Sequence, residues 1–168
     1  SISGPGVPPG DALAHIESCY LLFPPLAALC ARRAAPEHLA ALDECAIGLS
    51  RAILGRNAQG LADELLRFPR TLAEGAGNPA LTLLAGEACA QALPALRHFF
   101  ALSGESHWEA LFAGQMRVIQ AVKARDQAAA RQALEENVLR LGLVLEKLQG
   151  ASLSDFLREE ARARGVAA

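Results

Sequence analysis

Side chains that favour β-sheets are scarce in this chain. Val, Ile and Thr together number 13 of 168 residues, and aromatic residues make up 5%, with one Trp and one Tyr. A pleated surface is best filled by β-branched and aromatic side chains, so the composition argues against a sheet-based fold. A basic surplus is missing as well: 16 Lys and Arg stand against 18 Asp and Glu, a net charge of −2. Phosphate neutralisation supplies much of the affinity for nucleic acid, and a chain of this balance is not expected to bind DNA on its own. Paired metal ligands are absent too. Cys19, Cys30, Cys45 and Cys89 form no CxxC, and His15, His38, His98 and His107 are never three or four residues apart, the spacing that puts two ligands on one helix face. The cysteines read as buried free thiols of a reduced cytoplasm rather than a disulfide framework.

Long apolar runs are also missing. Cys19 to Ala31 is too short to span a bilayer and contains Pro24-Pro25, and Pro79 to Leu96 contains Glu87, Gln91 and Pro94, so no membrane partner is expected. Residues 1–10 have neither the basic start nor the apolar core of a signal peptide. They read as a linker or remnant.

What remains is Ala and Leu: 35 and 28 residues, or 63 of 168 positions. Both are strong apolar helix formers, and the punctuation divides them into six or seven helices. Asp11 is placed to cap a first helix reaching about Leu22, and Pro24-Pro25 predicts a kink or short break before Leu26 to Arg33. Pro36 suits a first helical position, and Leu39, Leu42, Ala46, Leu49 and Ile53 then keep an apolar period of 3.6 up to Gly55. Asn57 caps a helix bent by Pro69, which stops at Gly75-Ala76-Gly77-Asn78-Pro79. The helix after Pro79 is apolar on most sides, which predicts a central position, with a bend at Pro94. Ser106 and Glu109 read as a capping box, Asp126 as a stop and cap, Gly150 as the next stop, and Ser152 as the cap of a short last helix ending near Gly165. The expected fold is an all-α antiparallel bundle over residues 11–150, followed by a short helix and tail over 151–168. No repeat or second domain is visible.

Catalytic constellations are not found. HExxH, a glycine-rich phosphate loop and a nucleophile elbow are all absent. Asp63-Glu64 and Glu135-Glu136 read as solvated helix faces, and His98, beside Phe99-Phe100, as a partly buried histidine rather than a ligand. An enzyme is not expected.

One stretch is more specific. Phe68-Pro69-Arg70-Thr71-Leu72-Ala73-Glu74-Gly75-Ala76-Gly77-Asn78-Pro79 resembles the segment F-H-x-x-L-A-x-A-S-G-N-P of the FCD domain, found in one branch of GntR-type transcription regulators. Three further pieces agree in order. Ala27 to Leu39 is similar to the family's first-helix end and its A-T-P-E-x-L turn. Val118 to Asp126 is similar to I-x-x-A-I-x-x-x-D, and Ala130 to Ala133 to the A-x-x-A that follows. The resemblance spans roughly Asp11 to Gln149. It implies an FCD-like helical bundle around a small-molecule pocket, dimerising across one face, with a winged helix-turn-helix supplied outside this chain.

The resemblance also shows what is replaced. Many FCD domains hold a metal through an Asp and three His, and those places fall on Leu65, Pro69, Gln115 and Asn137. Hydrocarbon and neutral amides do not make a zinc site, so no metal and no cofactor is expected. An Arg that can meet a carboxylate in relatives falls on Cys19, and the Glu of the same motif on Phe23. Cys19, Phe23, Leu65 and Pro69 would then form apolar walls, Gln115 and Asn137 a neutral polar end, and Asn78 either a cap or a further ligand contact. Two readings stay open. In one, the pocket is retuned for an apolar or uncharged effector, in a cytoplasmic homodimeric sensor that reaches DNA only through the domain outside this chain. In the other, the cavity has collapsed and the chain is a helical dimerisation or protein-interaction scaffold.

Overall fold

The computed structural model describes residues 9–168, with side chains from Ala12 onward. The linker expected for the first residues lies outside the described part up to residue 8, while Pro9 and Gly10 already belong to the first helix. Seven helices follow in order: α1 (Pro9–Arg33), α2 (Pro36–Leu54), α3 (Ala58–Gly75), α4 (Pro79–Leu102), α5 (Glu105–Lys123), α6 (Gln127–Gln149) and α7 (Asp155–Ala163). Loops of two to five residues join them; α3 packs back on α2, α4 on α3 and α6 on α5, whereas α2 and α5 pack mainly on helices other than the one before them.

Local chemistry explains most boundaries. Asn57 Oδ1 accepts from Gly60 N at 3.0 Å, Asn78 Oδ1 from Ala80 N at 3.0 Å, and Asp126 Oδ1 from Ala129 N at 3.0 Å. Each satisfies one of the first-turn amides that a helix leaves unpaired. Pro36 and Pro79 open their helices, and Gly150 closes α6 in the left-handed region at φ 69°. Two arginines serve carbonyls at helix ends: Arg33 donates to Ala76 O at 3.0 Å, and Arg125 to Ala31 O at 3.3 Å.

Four sequence expectations are corrected. Asp11 is not a cap, because α1 begins two residues before it. Pro24-Pro25 does not break α1, which is continuous over 25 residues. The prolines each remove one backbone bond, but Phe23, Leu26 and Ala27 around them are buried, and burial of roughly 1.5–3 kcal/mol for each of the Phe23 and Leu26 side chains offsets that loss. Ser106 lies within α5, whose cap is Gly104, and Ser103 just ahead of it accepts from Trp108 Nε1 at 2.9 Å. Ser154, not Ser152, caps α7.

The centre also differs. Helix α1 packs against α6, α3, α4 and α5, whereas α4 packs mainly on α3 and α1. Ala12–Arg33 is long and apolar enough to cross a membrane by length and composition, yet half of it is buried inside the bundle. Its greasy composition serves a core helix. Helix α4 instead leaves Leu83, Leu84 and Leu102 exposed. Close approach of α3 to α1 needs Gly75, where a Cβ would sit 2.6 Å from Cys30 Sγ. All four cysteines are free and buried.

Helix α7 is fastened by polar contacts. Tyr20 donates from its hydroxyl to Glu160 Oε1 at 2.6 Å, Arg164 reaches Glu135 at 3.1 Å, and Phe156 meets the Tyr20 ring edge-on. Burial, and then the bond to the Glu160 carboxylate, push the Tyr20 phenol up to about 12. The folded chain therefore favours the neutral phenol. Its contribution is full below the ordinary value near 10 and disappears as pH rises through about 12. Tyr20 is the single tyrosine, so spectrophotometric titration reads it directly. The phenolate should appear with a midpoint near 12 in the folded chain and near 10 in denaturant, and Tyr20→Phe should flatten the alkaline loss of stability over that interval.

Candidate functional site

Helices α1, α3, α5 and α6 meet around one interior cavity of about 60 Å³. Cys19 and Phe23 enter from α1, Leu65 and Pro69 from α3, Gln115 from α5 and Asn137 from α6. Six residues singled out from the sequence thus line a single space. The spacings account for it: 19 to 23 and 65 to 69 are each one helical turn, which stacks both side chains on one face.

Asn78 does not join them. Its Oδ1 accepts from Ala80 N at 3.0 Å and Leu81 N at 3.2 Å, and it is absent from the cavity wall. The loop ahead of α4 needs that cap, and the side chain is used up by it.

Residues not singled out complete the wall. Leu111 lies one turn before Gln115, Leu141 one turn after Asn137, and Ile16 three residues before Cys19. Helical periodicity around the chosen positions was the signal for them. Leu66, Phe68 and Leu96 add hydrocarbon; only the packing of α3 and α4 shows which face of those helices is turned inward.

Two amides stand in this greasy chamber. Gln115 is 0% exposed, and neither its Nε2 nor its Oε1 has a hydrogen-bond partner among the described residues. Asn137 Oδ1 is likewise buried and unpartnered. Leaving a buried polar group unpaired costs about 1–3 kcal/mol, and such groups are rare in folded proteins. The backbone has been shaped to admit them: a Cβ at Gly114 would collide with the Asn137 carboxamide. Alanine there would push Asn137 out of its place against α5.

The metal implied by the sequence resemblance has no suitable donors. Leu65 and Pro69 offer hydrocarbon, and Gln115 and Asn137 offer neutral amides. Cys19 is the one ionisable group on the wall, and burial, together with nearby Cys89, pushes its thiol up to about 12. It stays a neutral thiol at ordinary pH. Among the described residues no three His, Cys, Asp or Glu converge on a possible metal position. The side chains present do not fit a divalent cation. What the arrangement can do is surround a compact apolar group and offer it amide donors and acceptors at one end.

The family model of the FCD domain matches residues 16–140, a span that contains the six cavity residues singled out from the sequence. No curated protein matches the chain.

Two substitutions separate the roles of these side chains. Gln115→Leu keeps the volume and removes an unpaired amide, so it should raise unfolding free energy by about 1–3 kcal/mol in urea titration; a loss of stability would show that the amide is satisfied. Asn78→Ala should cost roughly 0.5–2 kcal/mol through the lost cap and leave any ligand affinity of the cavity unchanged, measured by calorimetry.

Proposed function

The chain belongs to the FCD-domain family, the regulatory domain of GntR-type transcription regulators, and from that premise we propose that it senses a small uncharged, mainly apolar effector without a metal. The observation that carries this reading is the Gln115 amide, fully buried at the wall of an apolar cavity, with both polar atoms unpartnered among the described residues. Small-molecule sites combine greasy walls with a few placed polar groups. A cavity serving only as packing gains nothing from an unpaired amide.

Size gives the mechanism. Ligand pockets usually measure roughly 300–1,000 Å³, whereas this cavity measures about 60 Å³. An effector therefore makes room by moving side chains such as Phe23, Leu65, Leu111 and Leu141 on all four surrounding helices. A ligand that binds only the expanded arrangement has differential affinity for two states, which is what a population shift requires. The small volume is also the one observation favouring a scaffold that takes no ligand.

The output in this reading is a dimer. Leu83 is 78% exposed and Leu84 57%, and Ala90, Pro94 and Leu102 continue the same outer side of α4, with the exposed Glu87–Gln91 pair and Arg97 set among them. Large exposed apolar side chains rimmed by polar groups mark an interaction surface, here for a second copy of the chain in the cytoplasm. The effector would alter the relation of two α4 helices, and with it the spacing of two winged helix-turn-helix units carried outside the sequence described. No catalytic step is involved.

Both halves of the reading are open to measurement. Primary alcohols and amides of increasing chain length should include members that bind saturably and raise thermal stability, by about 2.7 kcal/mol at 100 times Kd. Gln115→Leu should abolish that response. No saturable stabilisation by any member would favour the scaffold. In sedimentation, Leu83→Glu with Leu84→Glu should convert a dimer to a monomer with unchanged helicity; an unchanged mass would place the interface elsewhere.

A further inference from the structure

The polar end of the inner cavity offers a specific set of atoms. Gln115 Nε2 and Oε1 are both buried, and neither has a hydrogen-bond partner among the described residues. They belong to one planar carboxamide, so a donor and an acceptor stand side by side on one edge. Asn137 Oδ1 is a further buried acceptor without a partner among the described residues. The Asn137 carboxamide lies against α5 at Gly114, the residue before Gln115, and both side chains line the same chamber. The rest of that wall is hydrocarbon apart from the neutral Cys19 thiol, and no charged side chain is part of it.

These atoms discriminate between the groups a ligand can bring. A ketone, ether, ester or carboxylate only accepts. It can meet Gln115 Nε2, but it leaves Gln115 Oε1 and Asn137 Oδ1 unpaired. A carboxylate would also bury its charge where no opposite charge waits, at a high desolvation cost. A hydroxyl has a single proton and serves only one of the two oxygens. An N–H and a C=O on the same side of an amide instead meet both Gln115 atoms in parallel hydrogen bonds. Open-chain secondary amides do not qualify, because their trans form turns N–H and C=O to opposite sides. Primary carboxamides do, with a second N–H left over for Asn137 Oδ1. Lactams also qualify, since a small ring locks the amide in the cis form.

We propose that the effector carries such a cis-amide edge, a primary carboxamide or a lactam on a compact hydrocarbon body, and that Gln115 recognises it. This rests on the sensing role of the inner cavity proposed above and adds the chemical class of the group that is sensed. The hydrocarbon body packs among Phe23, Leu65, Leu111 and Leu141, and the amide edge fixes its orientation toward α5 and α6.

Three ring compounds of matched size test this in titration calorimetry of the whole chain. Caprolactam presents the full edge, N-methylcaprolactam lacks the N–H, and cycloheptanone lacks the nitrogen altogether. Caprolactam should bind about tenfold more tightly than either analogue, the effect of one hydrogen bond to an acceptor that is otherwise buried unpaired. Gln115→Leu, checked for unchanged helicity by circular dichroism, should bring the three to within about twofold of one another. Cycloheptanone or N-methylcaprolactam binding as tightly as caprolactam would overturn the amide edge and leave the apolar sensing reading standing. A caprolactam advantage that persists in Gln115→Leu would overturn the role of Gln115. Absence of saturable caprolactam binding would overturn the amide edge, and if cycloheptanone and the primary alcohols fail as well, the sensing reading falls with it.

Discussion

The packing of α1 between α6, α3, α4 and α5 is the constraint on which the other arrangements depend. A helix this apolar has few places to go in water, and surrounding it removes most of its surface from solvent. Once it is central, its flank at Cys19 and Phe23 necessarily faces α3, α5 and α6. The cavity lies along that flank. The continuity of α1 through Pro24-Pro25 follows from the same cause, since side chains anchored in the core hold the helix across two missing backbone bonds. The approach of α3, made possible at Gly75, fixes the opposite wall.

Placing two amides in that interior is costly, and the backbone accommodates them at Gly114. Hydrocarbon at Leu65 and Pro69 and a neutral thiol at Cys19 leave Gln115 and Asn137 as the chemically distinctive groups. Their side chains can donate and accept but carry no charge. A response built on them depends on shape and hydrogen bonding.

Much of this was legible in the sequence. Pro36, Asn57, Asn78-Pro79, Asp126 and Gly150 mark helix ends by chemistry that acts within one turn, and each does so in the fold. The six cavity residues were legible because a resemblance in four ordered pieces gave positions, and helical spacing put them on shared faces. The errors have a common origin. Ser106 and Ser152 have the right chemistry for caps but lost to Gly104 and Ser154, since chain direction at those ends is set by where α5 and α7 must dock. Asn78 could serve the helix start or the cavity, and the nearer amides won.

The sequence by itself determined that the chain is helical, where most of its helices start and stop, and which side chains share a helix face. Those properties come from interactions a few residues apart. Only the tertiary structure decided that α1 rather than α4 is central, that the cavity is small, and that Gln115 has no hydrogen-bond partner among the described residues. Volume and hydrogen-bond satisfaction depend on how distant helices meet, and a pattern of 3.6 residues specifies a face without naming what it will face.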